Sequence, residues 1–338
     1  MDFEYPPQAD TYRTKVRSFL DANLPKDWKG IGALNHAAAA EWTEDWRKKL
    51  YSEGFLAITW PKEYGGQGLS HIESLVLAEE FARAGVPAGG PNDGFGIGML
   101  GNTIIAVGTE EQKRHYLPRA LSGEDRWCQG YSEPAAGSDL GNLGCRAVLD
   151  GDEWVINGQK IWTSAGHLAN YIFVLARTSP DDVKHRGITF LLVDMRQKGV
   201  EIRPIKMMSG DSEFNEVFFT DARCPKENVV GEVNGGWMVA MTLLGNERGA
   251  GAVVSSISFR GELDKLNALA QEKGLTKDPH IRQRLAQAHI KVEIMRFLGY
   301  RTLTAFMSGN QPGPEASIGK LWWSEYHKEV TELAIDIL

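Results

Sequence analysis

Residues 145–158 read CRAVLDGDEWVING, two short strand-like runs around an Asp-Gly pair. Such a pair between β-prone runs signals a hairpin, because glycine readily takes the positive φ that a tight turn needs. Further along come NYIFVLART, GITFLLVDM, VEIRPIKMM and FNEVFFTD. These runs are short, rich in β-branched and aromatic residues, and separated by turn residues. Together they predict a strand-only block over roughly residues 126–231.

Both flanks of that block carry the helical period. Upstream, Tyr12, Val16, Phe19 and Leu20 recur at helical spacing within 8–24; Trp42, Trp46 and Leu50 do so within 37–53, and Gly54 follows as a stop. SHIESLVLAEEFARAG (70–85) opens with a capping box, Ser70 with Glu73, and closes at Gly85. TEEQKRHYLPRALSG (109–123) holds a second, Thr109 with Gln112. Downstream, long helical stretches begin near Gly235, Pro279 and Pro314, the first reading as one long helix or two. Runs of one type followed by runs of another predict an α+β multi-domain chain rather than a doubly wound sheet. The expected domains are an N-terminal α-helical domain (1–125), a central β domain (126–232) and a C-terminal α-helical bundle (233–338). The last helix has no stop signal at Leu338, so the third domain reads as incomplete at its end.

Bulk properties narrow the function. The 338 residues are 42% hydrophobic and 24% charged, ordinary for a globular protein able to bury a large core. A net charge of −7 gives no global pull toward nucleic acid. No run approaches the ~18 apolar residues of a membrane span. The acidic opening MDFEYPPQADTYRTK reads as neither signal nor transit peptide. Cys128, Cys145 and Cys224 lack paired spacing, which points to buried thiols in a reducing, cytoplasmic setting and away from a disulfide framework or zinc site.

Several motif-like strings are set aside on context. GIGMLG (96–101) matches G-x-G-x-x-G, but a loop precedes it where a dinucleotide site needs a strand, so its glycines read as easing helix packing or lining a pocket. Ser317 and Lys320 form S-x-x-K without the partner motifs of a β-lactamase and read as two residues on one helix face. The eight histidines show no metal-ligand spacing.

What remains is GYSEPAAGSD (130–139), with two serines and two carboxylates in a glycine- and alanine-softened stretch. This stretch and its surroundings resemble the acyl-CoA dehydrogenase family. YSEPAAGSDL (131–140) is similar to the family's signature, and VINGQKIWTSAGHLANYIFVLART (155–178) to its N-G-x-K-x-W segment. RGITFLLVD (186–194) and KMMSGDSEFNEVFFTDARCPKENVVGEVNGGW (206–237) follow in the family's order. Upstream, WPKEYGGQGLS (60–70) and GTEEQKRHYLPRALSGE (108–124) match its N-terminal helical domain.

The resemblance implies an α-domain, β-domain, α-domain fold, an FAD cofactor, and oxidation of an acyl-CoA to a trans-2-enoyl-CoA. That chemistry takes a proton from Cα and a hydride from Cβ. It needs a general base aimed at Cα, and a glutamate in a dry pocket against an apolar chain has its pKa raised toward that role. Within LGNERGAG (244–251), Glu247 matches the base of the isovaleryl-like and long-chain-like members, and Arg248 an arginine near the thioester. Tyr131 and Ser132 match positions that bond the flavin edge, and Ser138 a serine near the FAD phosphates and the CoA pantetheine. Trp162 matches an aromatic packed on the flavin, its alternative being sheet core, and Thr163 and Ser164 match adjoining donors. Glu133 and Asp139 are expected to brace the loop. GGPNDGFGIGML (89–100) is expected to line the acyl end, with room for a bulky group.

One stretch departs from the family. AQEKGLTKDP (270–279) stands where most members carry an E-R-x-x-F-G motif for a neighbouring subunit's FAD diphosphate. That departure is similar to a bacterial subgroup that includes sterol side-chain enzymes, some of them α2β2. The resemblance therefore implies a homo- or hetero-oligomer, dimer or tetramer, that passes electrons to an electron-transfer flavoprotein. Two alternatives stay open: a non-catalytic partner subunit sharing FAD with an active paralogue, and a flavin-dependent monooxygenase or oxidase on the same fold.

Overall fold

The computed structural model describes residues 6–179, 182, 184–247, 251–308 and 317–338; the side chains of 246, 247, 251–254, 303, 306 and 307 lie outside the description. In chain order the elements begin with helices α1 (Pro7–Asn23), α2 (His36–Ser52) and α3 (His71–Ala84). A π-helical segment (Gly94–Gly101) runs into α4 (Asn102–Val107), and α5 (Glu110–Ser122) follows. The strands are β1 (Trp127–Gly130), β2 (Arg146–Asp150), β3 (Glu153–Ser164), β4 (Tyr171–Arg177), β5 (Ile188–Asp194), β6 (Val200–Pro204), β7 (Phe214–Pro225) and β8 (Val229–Val230). Helices α6 (Gly236–Glu247), α7 (Gly251–Glu272), α8 (Pro279–Met307) and α9 (Ser317–Ile337) complete the described chain. This is the expected helix, strand, helix order.

Local chemistry sets most element ends. At α3 the Ser70 hydroxyl accepts from Ile72 N (3.1 Å), Glu73 reaches back to Ser70 N (3.1 Å), and Gly85 closes the helix at φ +65°. At α5 Thr109 and Gln112 make the same reciprocal pair at 3.2 and 3.1 Å. The stretch 270–279 holds the end of α7 and its connection to α8: Gly274 sits at φ +72°, and Asp278 accepts from His280 N and Ile281 N to cap α8.

The chain divides into two compact units. One, whose described residues are 6–43, 69–88, 251–308 and 317–338, is helical. Its core joins Leu263, Leu266 and Ala270 of α7, Leu285 and Val292 of α8, and Tyr326, Val330 and Leu333 of α9. On α3, the buried Glu80 is held by Arg13 and by Arg17 (2.8 Å), both from α1, and by its neighbour Arg83 (2.7 Å). Ser317 and Lys320 of the S-x-x-K string both stand on α9, and Lys320 lies 3.9 Å over the Trp323 ring.

The other unit, residues 44–68 and 89–247, is built on one sheet, ordered β6-β7-β3-β2-β4-β5-β8, with β1 pairing parallel to β4. The hairpin predicted at Asp150-Gly151 is β2–β3, with Gly151 at φ +63°. In β4, Phe173 and Leu175 enter one core with α5, α6 and Trp127; Ile172, Val174 and Ala176 enter a second with Trp154, Val217 and Phe219. Both faces are covered, which explains the unbroken apolar runs of β4 and β5. GIGMLG is the π-helical segment. A Cβ on Gly96 would lie 3.0 Å from the Trp127 ring, and one on Gly101 would lie 2.1 Å from that of Trp60. These glycines seat helix on tryptophan.

Candidate functional site

The site is built where β3 breaks its own alternation. Trp154, Ile156 and Lys160 point into the unit, so period-two alternation would bring residue 162 inward as well. A register shift against β7 between Lys160 and Thr163 inserts a bulge, which re-aims the side chains after it. Trp162 takes φ +62° and stands 58% exposed, edge-on to Phe214 at 6.0 Å; Thr163 goes inside in its place. Trp162 is therefore not sheet core. Holding a tryptophan in the left-handed region is strained, and such strain concentrates at functional positions. The buried Thr163 hydroxyl has no hydrogen-bond partner among the described residues. Asn215 of β7 donates to the Thr163 carbonyl (2.9 Å), and its own buried Oδ1 is likewise unpartnered. Ser164 pairs with Phe214 and is half-buried.

The loop 131–145 packs beside this bulge. Lys160 Nζ donates to the Tyr131 carbonyl (3.1 Å) and to Glu133 Oε1 (2.6 Å), and Ile161 N donates to the Ser132 carbonyl (2.9 Å). Glu133 also accepts from Gly144 N (2.7 Å) and Cys145 N (3.0 Å), so it braces the loop as expected. Asp139 does not act the same way: it is exposed and its side chain caps nothing in the short helix that follows. The Tyr131 ring is buried, edge-on to Phe173 and Phe190, and Ser138 is exposed. β3 approaches the loop closely at Gly158, where a Cβ would fall 2.7 Å from Cys145 Cα.

Helix α6 packs Val239, Ala240 and Leu243 against the sheet core, and Glu247 is its last residue. The Glu247 side chain and the whole of Arg248 lie outside the described residues. In the π-helical segment, Gly94 and Gly98 have nothing within 4 Å of a would-be Cβ, unlike Gly96 and Gly101. All three cysteines are free and buried; burial pushes the Cys145 thiol up to about 11, the Cys224 thiol up to about 12, and Cys128 higher still. None can serve as a thiolate near neutral pH. Among the described residues no cluster of His, Cys, Asp or Glu is placed to hold a metal, and no helix is long and apolar enough to cross a membrane.

Comparison with known proteins matches this arrangement along the whole chain. Family models described as Acyl-CoA dehydrogenase, N-terminal domain, middle domain and C-terminal domain match residues 6–124, 128–222 and 234–338. The chain belongs to the acyl-CoA dehydrogenase family. It is thus a member of a family of oxidoreductases, whose members are generally FAD-binding flavoproteins. It is 42% identical to acyl-CoA dehydrogenase IpdE1 of Mycobacterium tuberculosis, over 98% of this chain and 86% of that protein. Among solved structures, the Tcur3481-Tcur3483 steroid ACAD superposes with a TM-score of 0.85 at 36% identity, covering all of this chain and 86% of that one. The ChsE4-ChsE5 complex from Mycobacterium tuberculosis gives 0.82 at 33%, with the same coverage.

The residues of this acyl-CoA dehydrogenase family member fit a flavin. Such a ring asks for a flat apolar wall and a few fixed hydrogen-bonding groups. The outward Trp162 offers the wall, and the orphaned Thr163 hydroxyl offers a group already desolvated with nothing yet to bond. Two contributors escaped the sequence reading, Lys160 and Asn215. Lys160 left a signal: a lysine at an inward position of an alternating strand is out of place unless paired.

Proposed function

We propose that the chain catalyses α,β-dehydrogenation of an acyl-CoA thioester to the trans-2-enoyl-CoA, with FAD as its cofactor. The observation that carries this is the bulge at residue 162, which turns an aromatic wall outward beside an unpartnered buried hydroxyl. Trp162, Thr163 and Ser164 would hold the ring, with the loop at Tyr131 and Ser132 against its edge and Ser138 toward the phosphates and pantetheine. Bound FAD would supply the acceptor for the hydride that leaves Cβ. The protein's own task is to hold the thioester so that Cα faces a base and to keep water away. Glu247 takes the Cα proton, and Arg248 structures the thioester end. A positioned base of this kind contributes about 10²–10⁴-fold.

The open side of the π-helical segment at Gly94 and Gly98 leaves room for a bulky acyl group, and the similarity to the Tcur3481-Tcur3483 steroid ACAD supports a steroid side-chain thioester as substrate. Residues 270–279 are spent on the end of α7 and its turn into α8, so the cationic partners of a diphosphate are proposed to come from another subunit. The neighbour described as the ChsE4-ChsE5 complex supports a heteromeric assembly. Electrons are proposed to leave to an electron-transfer flavoprotein.

The test is Glu247→Gln. FAD content should match wild type while substrate-dependent bleaching of the flavin slows by at least ~100-fold. Bleaching at the wild-type rate would overturn Glu247 as the base. A wild-type chain that takes up no FAD, alone or with its partner, would overturn the flavin reading itself.

A further inference from the structure

Lys160 has no exposed side-chain surface, and its partner Glu133 retains 9%. A buried ion pair adds little stability over a packed apolar pair of the same volume, because desolvating both charges offsets most of their attraction. Such a pair can serve to specify one arrangement, and here three backbone groups converge on it. The Lys160 ammonium bonds the Tyr131 carbonyl and Glu133, and the Glu133 carboxylate takes Gly144 N and Cys145 N. Three stretches distant in sequence are thereby tied to one point: the loop at Tyr131–Ser132, the chain entering β2, and β3. The tie sits at the last residue before the bulge, two positions from Trp162. The next residue continues it, since Ile161 N holds the Ser132 carbonyl at 2.9 Å.

This placement is costly, and the chain makes room for it. β3 approaches the loop at Gly158, at φ +150°, where an added Cβ would fall 2.7 Å from Cys145 Cα and no side chain fits. A lysine that served stability alone would need neither this approach nor a main-chain carbonyl as its second acceptor. We propose that Lys160 and Glu133 are positioning residues: their pair locks the Tyr131–Ser132 loop and the Trp162 bulge in the one relative register that accepts the flavin ring. The inference rests on the flavin reading above and adds to it the device that sets the ring's seat. It places neither residue in contact with the cofactor or substrate.

Charge and geometry separate in the variants. Lys160→Met keeps the stem length and removes both hydrogen bonds. Glu133→Gln keeps the shape and one acceptor. Lys160→Met/Glu133→Leu replaces the pair by apolar groups, so neither charge is left buried without the other, and it does not restore the tie to the Tyr131 carbonyl. FAD is titrated into each apo-protein, together with its partner subunit if the wild type needs one. Affinity is read from flavin fluorescence, and the shape of the bound flavin's visible absorption band is recorded alongside it. Unfolding of each apo-protein is followed separately. The expected result is a Kd raised at least ~10-fold with an altered flavin spectrum in Lys160→Met and in the double variant, even where the double variant melts like wild type. Glu133→Gln should fall between them and wild type. A double variant that is as stable as wild type, binds FAD with wild-type affinity and gives an unchanged spectrum would overturn the proposal. So would variants that lose stability while the folded fraction binds FAD normally. A wild-type protein that binds no FAD would instead overturn the flavin reading, and this inference with it.

Discussion

Replacing Trp162 by glycine should separate the stability of the apo-protein from its affinity for cofactor. In the folded chain this tryptophan sits at φ +62°, which costs a non-glycine residue about 1–2 kcal/mol. Glycine adopts that conformation freely, so the substitution recovers this strain. It gives up the edge-on contact with Phe214, ~0.5–1.5 kcal/mol, and ~0.5–1 kcal/mol of glycine's extra chain entropy. The buried remainder of the side chain, about 105 Å², adds a loss of ~2.6 kcal/mol at 25 cal/mol per Å². Against the strain recovered, apo-protein stability should fall by about 2–4 kcal/mol. Affinity should respond differently. At 58% exposure, about 145 Å² of a ~250 Å² side chain is open to solvent. If the ring covers half of that, ~70 Å² leaves water, worth ~1.8 kcal/mol at 25 cal/mol per Å². The dissociation constant for FAD should therefore rise about 20-fold. Denaturant unfolding of the apo-protein and a fluorescence titration with FAD measure the two quantities. A loss of more than about 5 kcal/mol in the apo-protein would show that Trp162 is a core residue, and unchanged affinity would show that it is no part of the seat.

Other perturbations follow from the same geometry. Gly101→Ala should destabilise by about 1–3 kcal/mol, since its methyl would fall 2.1 Å from the Trp60 ring; thermal unfolding measures this. At Gly98 a Cβ would meet no atom within 4 Å, so Gly98→Leu should fold as wild type, but its turnover of bulky acyl-CoAs should fall relative to short straight ones, read from a bleaching series. Glu80 carries a pH effect. Burial works to raise its pKa, but the bonds from Arg17 and Arg13 outweigh burial and hold it below its ordinary value of 4.5. Its contribution is therefore present above about pH 4.5 and lost as pH falls through the depressed value. Glu80→Gln should be less stable at pH 7 and show a shallower acid limb in unfolding against pH.

Features set by close neighbours along the chain are legible in the sequence itself. The capping boxes at Ser70 and Thr109 need only residues three apart, and the β2–β3 hairpin needs only Asp150-Gly151. The central strands are legible because burial on both faces leaves unbroken apolar runs. β1 and β8, four and two residues long, carry too little pattern to read. The orientation of Trp162 is not legible from alternation, because the bulge is set by pairing with β7 some fifty residues away. The resemblance marks Trp162 for the flavin, and the bulge supplies the physical reason it faces outward. The glycines of GIGMLG can be cleared as a nucleotide motif from the missing strand, but their partners Trp60 and Trp127 are tertiary neighbours. Lys160 and Glu133 lie twenty-seven residues apart and come together only through the fold.

Anaerobic mixing of the FAD-loaded protein with a steroid side-chain acyl-CoA, followed in the visible absorption of the flavin and by mass analysis of the thioester, tests the central claim most directly. The account predicts loss of the flavin absorbance in step with a thioester two hydrogens lighter, unsaturated between Cα and Cβ. A protein that holds its FAD yet leaves every acyl-CoA unchanged, from short straight chains to steroid side chains, would contradict it.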